Sequence, residues 1–363
     1  MFRRFMTIGT ALATGLSLVV LPVVPAAAHG SSWRVIASGL DSPRGLGFAP
    51  NGTLYVAEAG VGGSGPCLVH PLGKICYGAT GAVTKVRRGH QTRVLKGLPS
   101  FALQGTDEVF GPSDVGVSGK LYVTLGFGDD PNLRSQLPPN GQLAATLIRT
   151  KTPKGFKVVA DIGAYELAVN PDGGLPDTNP QGLLVTKHGE VIADAGGNSL
   201  LGVSPKGRIS TLAVFPNRLV PNPAPGQPDI PMQAVPTTVT RGPDGALYVG
   251  QLTGFPFPVG GANVYRIGRD GKVRVFASGF TNIIDIAFGP DRSLYVLEIA
   301  KNGLLSNDTT GALIKVGKHG KRTVIASKGL THPTGVALRD GKAYVSNCGT
   351  CAGKGQVISI PLH

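Results

Sequence analysis

Asp285-Ile286-Ala287-Phe288-Gly289-Pro290-Asp291-Arg292-Ser293-Leu294-Tyr295-Val296-Leu297-Glu298 is the stretch that decides the fold. An apolar strand, a tight Pro-Asp turn and an aromatic-centred strand follow one another, which is the pattern of an antiparallel hairpin. The phrase returns along the chain. Its second strand recurs as Leu54-Tyr55-Val56, Leu121-Tyr122-Val123, Leu247-Tyr248-Val249 and Ala343-Tyr344-Val345, with Val191-Ile192-Ala193 as a degenerate copy. A short apolar strand precedes each copy, for example Asp114-Val115-Gly116-Val117 and Gly335-Val336-Ala337-Leu338. All-β repeats of roughly 50 residues are the signature of propeller blades.

The expected fold is therefore all-β, a six-bladed β-propeller. Blade 1 starts at Gly45 and ends near Lys96, blade 2 spans Ser113–Ile162, blade 3 Gln181–Val214, blade 4 Thr237–Ser278 and blade 5 Ile284–Ser327. Blade 6 starts at Thr334 and has its third strand at Gln356–Ile360, after which the sequence stops short of a fourth. The segment Arg34-Val35-Ile36-Ala37-Ser38-Gly39 matches the outer strand Arg274-Val275-Phe276-Ala277-Ser278-Gly279. Trp33–Ser38 is thus expected to complete blade 6, closing the ring and removing exposed strand edges. No amphipathic helix is legible, and Phe215–Pro236 reads as an ordered loop within one domain.

Met1-Phe2-Arg3-Arg4, the apolar run Phe5–Val24 and Ala26-Ala27-Ala28 describe a secretory signal peptide over 1–28, with one propeller domain over 29–363. The alternative, an uncleaved anchor, is disfavoured by Pro22 and Pro25. The expected location is secreted, in the extracellular space or cell envelope. Four cysteines, Cys67, Cys76, Cys348 and Cys351, fit two disulfides in an exported chain. Zinc and redox readings of Cys348-x-x-Cys351 are weaker, because zinc needs a second close pair and a thioredoxin-type motif opens a helix. The simplest pairing is Cys67–Cys76 with Cys348–Cys351; pairing between the two loops stays open.

Turn lengths divide the molecule. The A–B and C–D connections are tight, whereas the B–C and D–A connections are long, and in an antiparallel blade the two long classes emerge at the same end. Binding usually resides in long loops on a rigid scaffold. The chain carries 35 Lys and Arg against 21 Asp and Glu, a net charge of +14. The excess sits at the tight-turn end, on residues such as Arg87, Arg88, Lys206, Arg269, Lys318 and Lys321. That basic face is either a solvated surface or a contact with an anionic cell-envelope polymer. A nucleic-acid partner is not expected, since no aromatics interleave with these charges. A monomer is expected.

Gly60-Val61-Gly62-Gly63-Ser64-Gly65 satisfies G-x-G-x-x-G but opens no helix, so it does not read as a dinucleotide site. No H-E-x-x-H or G-x-S-x-G occurs, and catalytic residues are not legible. The candidate ligand-binding residues are polar groups at equivalent blade positions. Glu58, Asp194, Gln251, Glu298 and Asn347 end the B strands, while Arg44, Asp114, Asp285 and His332 stand near the starts of A strands. An oxygen-rich ring at a channel mouth suits calcium or magnesium, with Glu58 and Glu298 as the metal candidates. The same groups would serve equally to tie neighbouring blades together through backbone hydrogen bonds.

Three blocks in blade 1 carry a family resemblance: Gly39-Leu40-Asp41-Ser42-Pro43-Arg44-Gly45-Leu46, Leu54-Tyr55-Val56-Ala57-Glu58-Ala59-Gly60, and the run from Gly62-Gly63-Ser64-Gly65-Pro66-Cys67 to Cys76-Tyr77-Gly78-Ala79-Thr80-Gly81. They resemble the ScyD/ScyE family, exported proteins associated with scytonemin pigment biosynthesis. The resemblance implies a six-bladed propeller akin to the NHL and gluconolactonase-like groups. The latter use a Glu/Asn/Asn/Asp metal set, and Ser42 and Arg44 stand here at the first blade's entry in place of that Glu. The expected function is binding of a small-molecule or polymeric ligand on the long-loop face. The alternative is a metal-dependent hydrolase or lactonase, or an oxidative tailoring enzyme, working at the same channel mouth.

Overall fold

The computed structural model describes residues 33–150 and 155–362. The expected signal segment 1–28 lies outside the described residues. Among the described residues five antiparallel sheets have four strands each, and the first, which opens with Pro43–Phe48, has six. The second to fifth sheets start with strands Pro112–Val117, Pro180–Thr186, Pro236–Arg241 and Ile283–Phe288. The sixth combines Gly335–Arg339, Lys342–Asn347 and Gly355–Pro361 with Arg34–Leu40 from the other end of the chain. There Arg34 pairs with Ser359 and Leu40 with Gly355, with two bulges between. The pairing strand thus starts one residue after Trp33, whose ring packs over Gly329 and against the core between the fifth and sixth sheets.

The first strands touch in cyclic order: Pro43–Phe48 against Pro112–Val117, each next one against its successor, and Gly335–Arg339 back against Pro43–Phe48. The core follows from this arrangement. It is a set of apolar slabs between neighbouring sheets, such as Tyr248, Phe280, Ile286 and Val296 between the fourth and fifth. Alternating strand residues supply both faces of each slab, and every fully buried Leu, Ile or Phe contributes about 1.5–3 kcal/mol.

Three departures from the sequence reading all fall at the long-loop end. In the first sheet the third and fourth strands run on as a long hairpin, Gly73–Arg87 with His90–Leu103, flanked by Cys67–His70 and Val109–Phe110. A satellite core of Ile75, Tyr77, Phe101 and Phe127 holds it down. The 215–236 loop forms a two-stranded ribbon, Arg218–Val220 with Ile230–Met232. The 163–179 connection contains an α-helix, Ile162–Val169, whose N-terminus is capped by the Asp161 carboxylate on Ala164 N–H. With two turns and no apolar stripe, that helix left no periodic signal. Disulfides join Cys67 to Cys76 and Cys348 to Cys351. Among the described residues no helix is long and apolar enough to cross a membrane.

Candidate functional site

The second strands end in side chains that share one task. Glu58 accepts from Asp41 N–H at 2.8 Å, Asp194 from Asn179 N–H at 2.7 Å, Glu298 from Thr281 N–H at 2.7 Å and Asn347 from Thr331 N–H at 2.8 Å. In each case the donor lies just before the sheet's first strand, where the chain enters. Four equivalent groups therefore tie the chain entry of a sheet to the end of its second strand. Gln251 instead accepts from Arg218, Asn263 N–H and the Tyr265 hydroxyl. Glu58 is the most occupied: Thr84 Oγ1 at 2.5 Å and Arg93 at 3.1 and 2.6 Å bring its donors to four. Those fill the lone-pair sites of a carboxylate. Glu298 is less satisfied, and burial pushes it up to about 7.

Asp114 and Asp285 sit on first strands of the second and fifth sheets. Each reaches across to the next sheet: Asp114 Oδ2 takes Leu183 N–H at 2.9 Å and Asp285 Oδ2 takes Val336 N–H at 2.7 Å. Burial, reinforced by the Asp285 charge, pushes Asp114 up to about 8, while burial pushes Asp285 up to about 6. Both are sewn between sheets.

Arg44 and His332 form a different arrangement. The Arg44 guanidinium is 7% exposed. It donates to the Gly349 carbonyl at 2.9 Å and the Val109 carbonyl at 2.6 Å, and lies 3.4 Å from Glu108 Oε1. His332 has φ 35°, a left-handed conformation that is unusual for a β-linked side chain, and its Nδ1 lies 3.1 Å from Thr350 Oγ1. Burial lowers its pKa, partly offset by Glu108 and Asp107. The Cys348–Cys351 bridge closes the loop that supplies Gly349 and Thr350. Residues from the first and sixth sheets and the 104–108 turn thus meet at one seam of the long-loop end.

The sequence reading did not single out a second cluster, Asp129, Glu166, Asp172 and Asp177 beside Asp194. Burial first, then the neighbouring carboxylates, push Glu166 up to about 8 and Asp177 up to about 7. The available signal was acidic density in the 163–179 connection, which carries Glu166, Asp172 and Asp177. Among the described residues no three His, Cys, Asp or Glu side chains are grouped in metal-binding geometry. The tight-turn end has its own cleft of about 450 Å³, floored by Phe276, Phe288 and Leu294 and rimmed by Arg292 and Lys318.

No family model matches the chain, and no curated protein matches it in sequence. Its architecture matches widely. Virginiamycin B lyase from Staphylococcus aureus superposes with TM-score 0.51 at 12% identity, over 91% of this chain and 99% of that one. A luciferin-regenerating enzyme gives TM-score 0.52 at 10% identity, over 92% and 95%. A protein of unknown function from Bacteroides thetaiotaomicron gives 0.55 at 11% identity, over 91% and 72%. The class defined by fold and neighbours is the β-propeller proteins. At these identities the likeness carries the fold alone.

Proposed function

We propose that this chain is an exported, ScyD/ScyE-like binding propeller whose six sheets are six blades, closed into a ring by Arg34–Leu40. Its ligand, small or polymeric, is taken at the long-loop end, at the seam of Arg44, Glu108 and His332. The supporting observation is the state of Arg44: a nearly buried cation whose one ion-pair partner among the described residues, Glu108 at 3.4 Å, has a side chain 47% exposed. An anionic oxygen of a ligand can take the place of so loose a partner, and a buried guanidinium rewards such an exchange. The two disulfides and the positively charged, apolar start of the chain support export.

A thermal-shift screen of uronic-acid oligosaccharides and aromatic carboxylates tests this reading. A stabilising compound should lose its effect in His332→Ala and Arg44→Lys. A compound that is indifferent to both, yet lost on Phe276→Ser or Lys318→Glu, would move the site to the tight-turn cleft. One observation favours an enzymatic reading of the same seam: burial lowers the His332 pKa and so favours the neutral imidazole that a general base needs. Turnover of a lactone that vanishes in His332→Ala, with binding retained, would select it.

A further inference from the structure

The Pro-Asp turn of the fifth sheet departs from its copies at one residue. Ala49-Pro50-Asn51-Gly52, Gly242-Pro243-Asp244-Gly245 and Gly289-Pro290-Asp291-Arg292 close in the same way, the last N–H of each donating to the first carbonyl at 3.0, 2.9 and 2.9 Å. The final residue is left-handed in all three, with φ 81°, 80° and 65°. Two of the three are the glycine that this conformation favours; the third is an arginine, whose Cβ is unfavourable there. A left-handed residue kept against that preference points to a use for its side chain.

Arg292 stands on the rim of the tight-turn cleft, whose volume is about 450 Å³. That lies within the roughly 300–1,000 Å³ of small-molecule sites. The floor of the cleft breaks the repeat as well. Phe276 is 46% exposed, whereas Ile36 and Ile325, at the same place in the outer strands Arg34–Leu40 and Arg322–Ala326, are half-buried. The rings of Phe276 and Phe288 both pack edge-to-face with Tyr248, at centroid distances of 4.9 and 4.8 Å. An aromatic floor held in this way is set before anything binds, and Leu294 and Val316 complete the apolar lining.

The rim is cationic. Its one carboxylate, Asp291, is already taken: Lys315 pairs with it at 2.8 Å, and Ser293 donates its N–H at 3.1 Å and its hydroxyl at 2.9 Å. The Lys315 bond first, then those from Ser293, hold Asp291 below the usual carboxylate range. Among the described residues neither Arg292 nor Lys318 forms an ion pair. An exposed apolar floor under two unneutralised cations is the complement of a molecule with an apolar body and an anionic head.

We propose that this cleft binds a small anionic amphiphile, an alkyl carboxylate or sulfate, with its chain on Phe276 and Phe288 and its head group taken by Arg292 and Lys318. The site is separate from the Arg44 seam. Calorimetric titration of the purified protein with sodium octanoate tests it, with butyrate as the short probe and octylammonium as the oppositely charged one. The expected result is one octanoate per chain, bound more weakly in high salt, with butyrate weaker on the order of tenfold or more and no binding of octylammonium. Arg292→Gly should weaken octanoate binding on the order of tenfold, yet melt no lower than wild type, because glycine is at ease in this turn. Arg292→Asn, which also tolerates the left-handed conformation, provides the second variant and should weaken binding likewise. Lys318→Glu should abolish binding, and Arg44→Lys should leave it unchanged. A wild type that binds no octanoate overturns the proposal, as does one that binds octylammonium equally well. So does an Arg292→Gly protein that binds as wild type, or an Arg44→Lys protein that loses octanoate. The seam answers to Arg44 and His332, so failure at the cleft leaves that reading standing.

Discussion

Glu58→Gln isolates what a strand-end carboxylate does. In the wild type, Oε2 accepts from Asp41 N–H at 2.8 Å and Arg93 Nη2 at 2.6 Å, and Oε1 from Thr84 Oγ1 at 2.5 Å and Arg93 Nε at 3.1 Å. An amide keeps one oxygen. Whichever way it turns, its NH2 group confronts a donor from Arg93; at the Oε1 place the Thr84 hydroxyl can turn round to accept from it, so that orientation is preferred. Losing the charge-assisted hydrogen bond costs about 1.5–3 kcal/mol. Arg93 is 35% exposed and keeps Asp41 at 2.7 Å, so water and Asp41 absorb part of that, leaving about 1–2 kcal/mol. With an unfolding entropy of ~2.1 cal/mol/K per residue, a chain of this size should melt about 1–3 °C lower. Calorimetry and urea unfolding of wild type, Glu58→Gln, Arg93→Met and the double variant measure both the loss and the coupling. The double variant should be less destabilised than the sum of the singles. A Glu58→Gln protein within about 0.5 kcal/mol of wild type refutes the tie. A variant of unchanged stability that loses a ligand or cation would make Glu58 a binding residue instead.

Asp114 and Asp285 make a pH prediction with a definite sign. Their folded-state values, about 8 and about 6, lie above those of an unfolded chain. The folded protein therefore binds more protons, and stability is greatest at the acid end and declines as pH rises from about 4 to about 8. The other charge reaching Asp114 is Asp285, so Asp114→Asn should flatten that decline in urea titrations; an unchanged slope contradicts it. Deleting residues 33–40 should lower both melting temperature and solubility, because it bares the edge of Gly355–Pro361 and the apolar face behind Ala37 and Leu40. Normal melting and solubility of that deletion would show the strand to be dispensable. Replacing Cys67 and Cys76 together by Ser should cost about 2–3 kcal/mol through the unfolded chain. An unaltered urea midpoint would contradict that.

The sheets were legible because every copy of the repeat carries its own punctuation. Pro290-Asp291-Arg292 and Asp340-Gly341 can only be turns, and the Tyr-Val strand after each turn has to be buried. The pairing of Arg34–Leu40 with Gly355–Pro361 was legible for the same reason, by likeness to Arg274–Gly279. What stayed dark lacks periodicity. The helix Ile162–Val169 is two turns long, and its burial is decided by the second and third sheets on which it rests. The Gly73–Leu103 hairpin runs through Gly78 and Gly81, which read as loop until Phe101 and Phe127 are seen packing beneath it.

The site was only half legible, for a reason that reaches past this chain. Sequence places Glu58, Asp194, Glu298 and Asn347 at equivalent strand ends, and equivalence is what a repeat architecture must give to groups that stitch every blade alike. A binding site in such an architecture has to break the repeat. The Asp41 and Thr281 N–H groups answer Glu58 and Glu298 in the same way. Arg44 has no counterpart in the other sheets. Asp194 makes the tie with more than one donor: Oδ1 takes the Asn179 and Gly197 N–H groups and Oδ2 the Thr178 hydroxyl. Asp194→Ala should therefore cost about 1–3 kcal/mol, because it leaves buried N–H donors without an acceptor. Urea unfolding of wild type and variant measures it, and an unchanged midpoint would mean that Asp194 ties nothing.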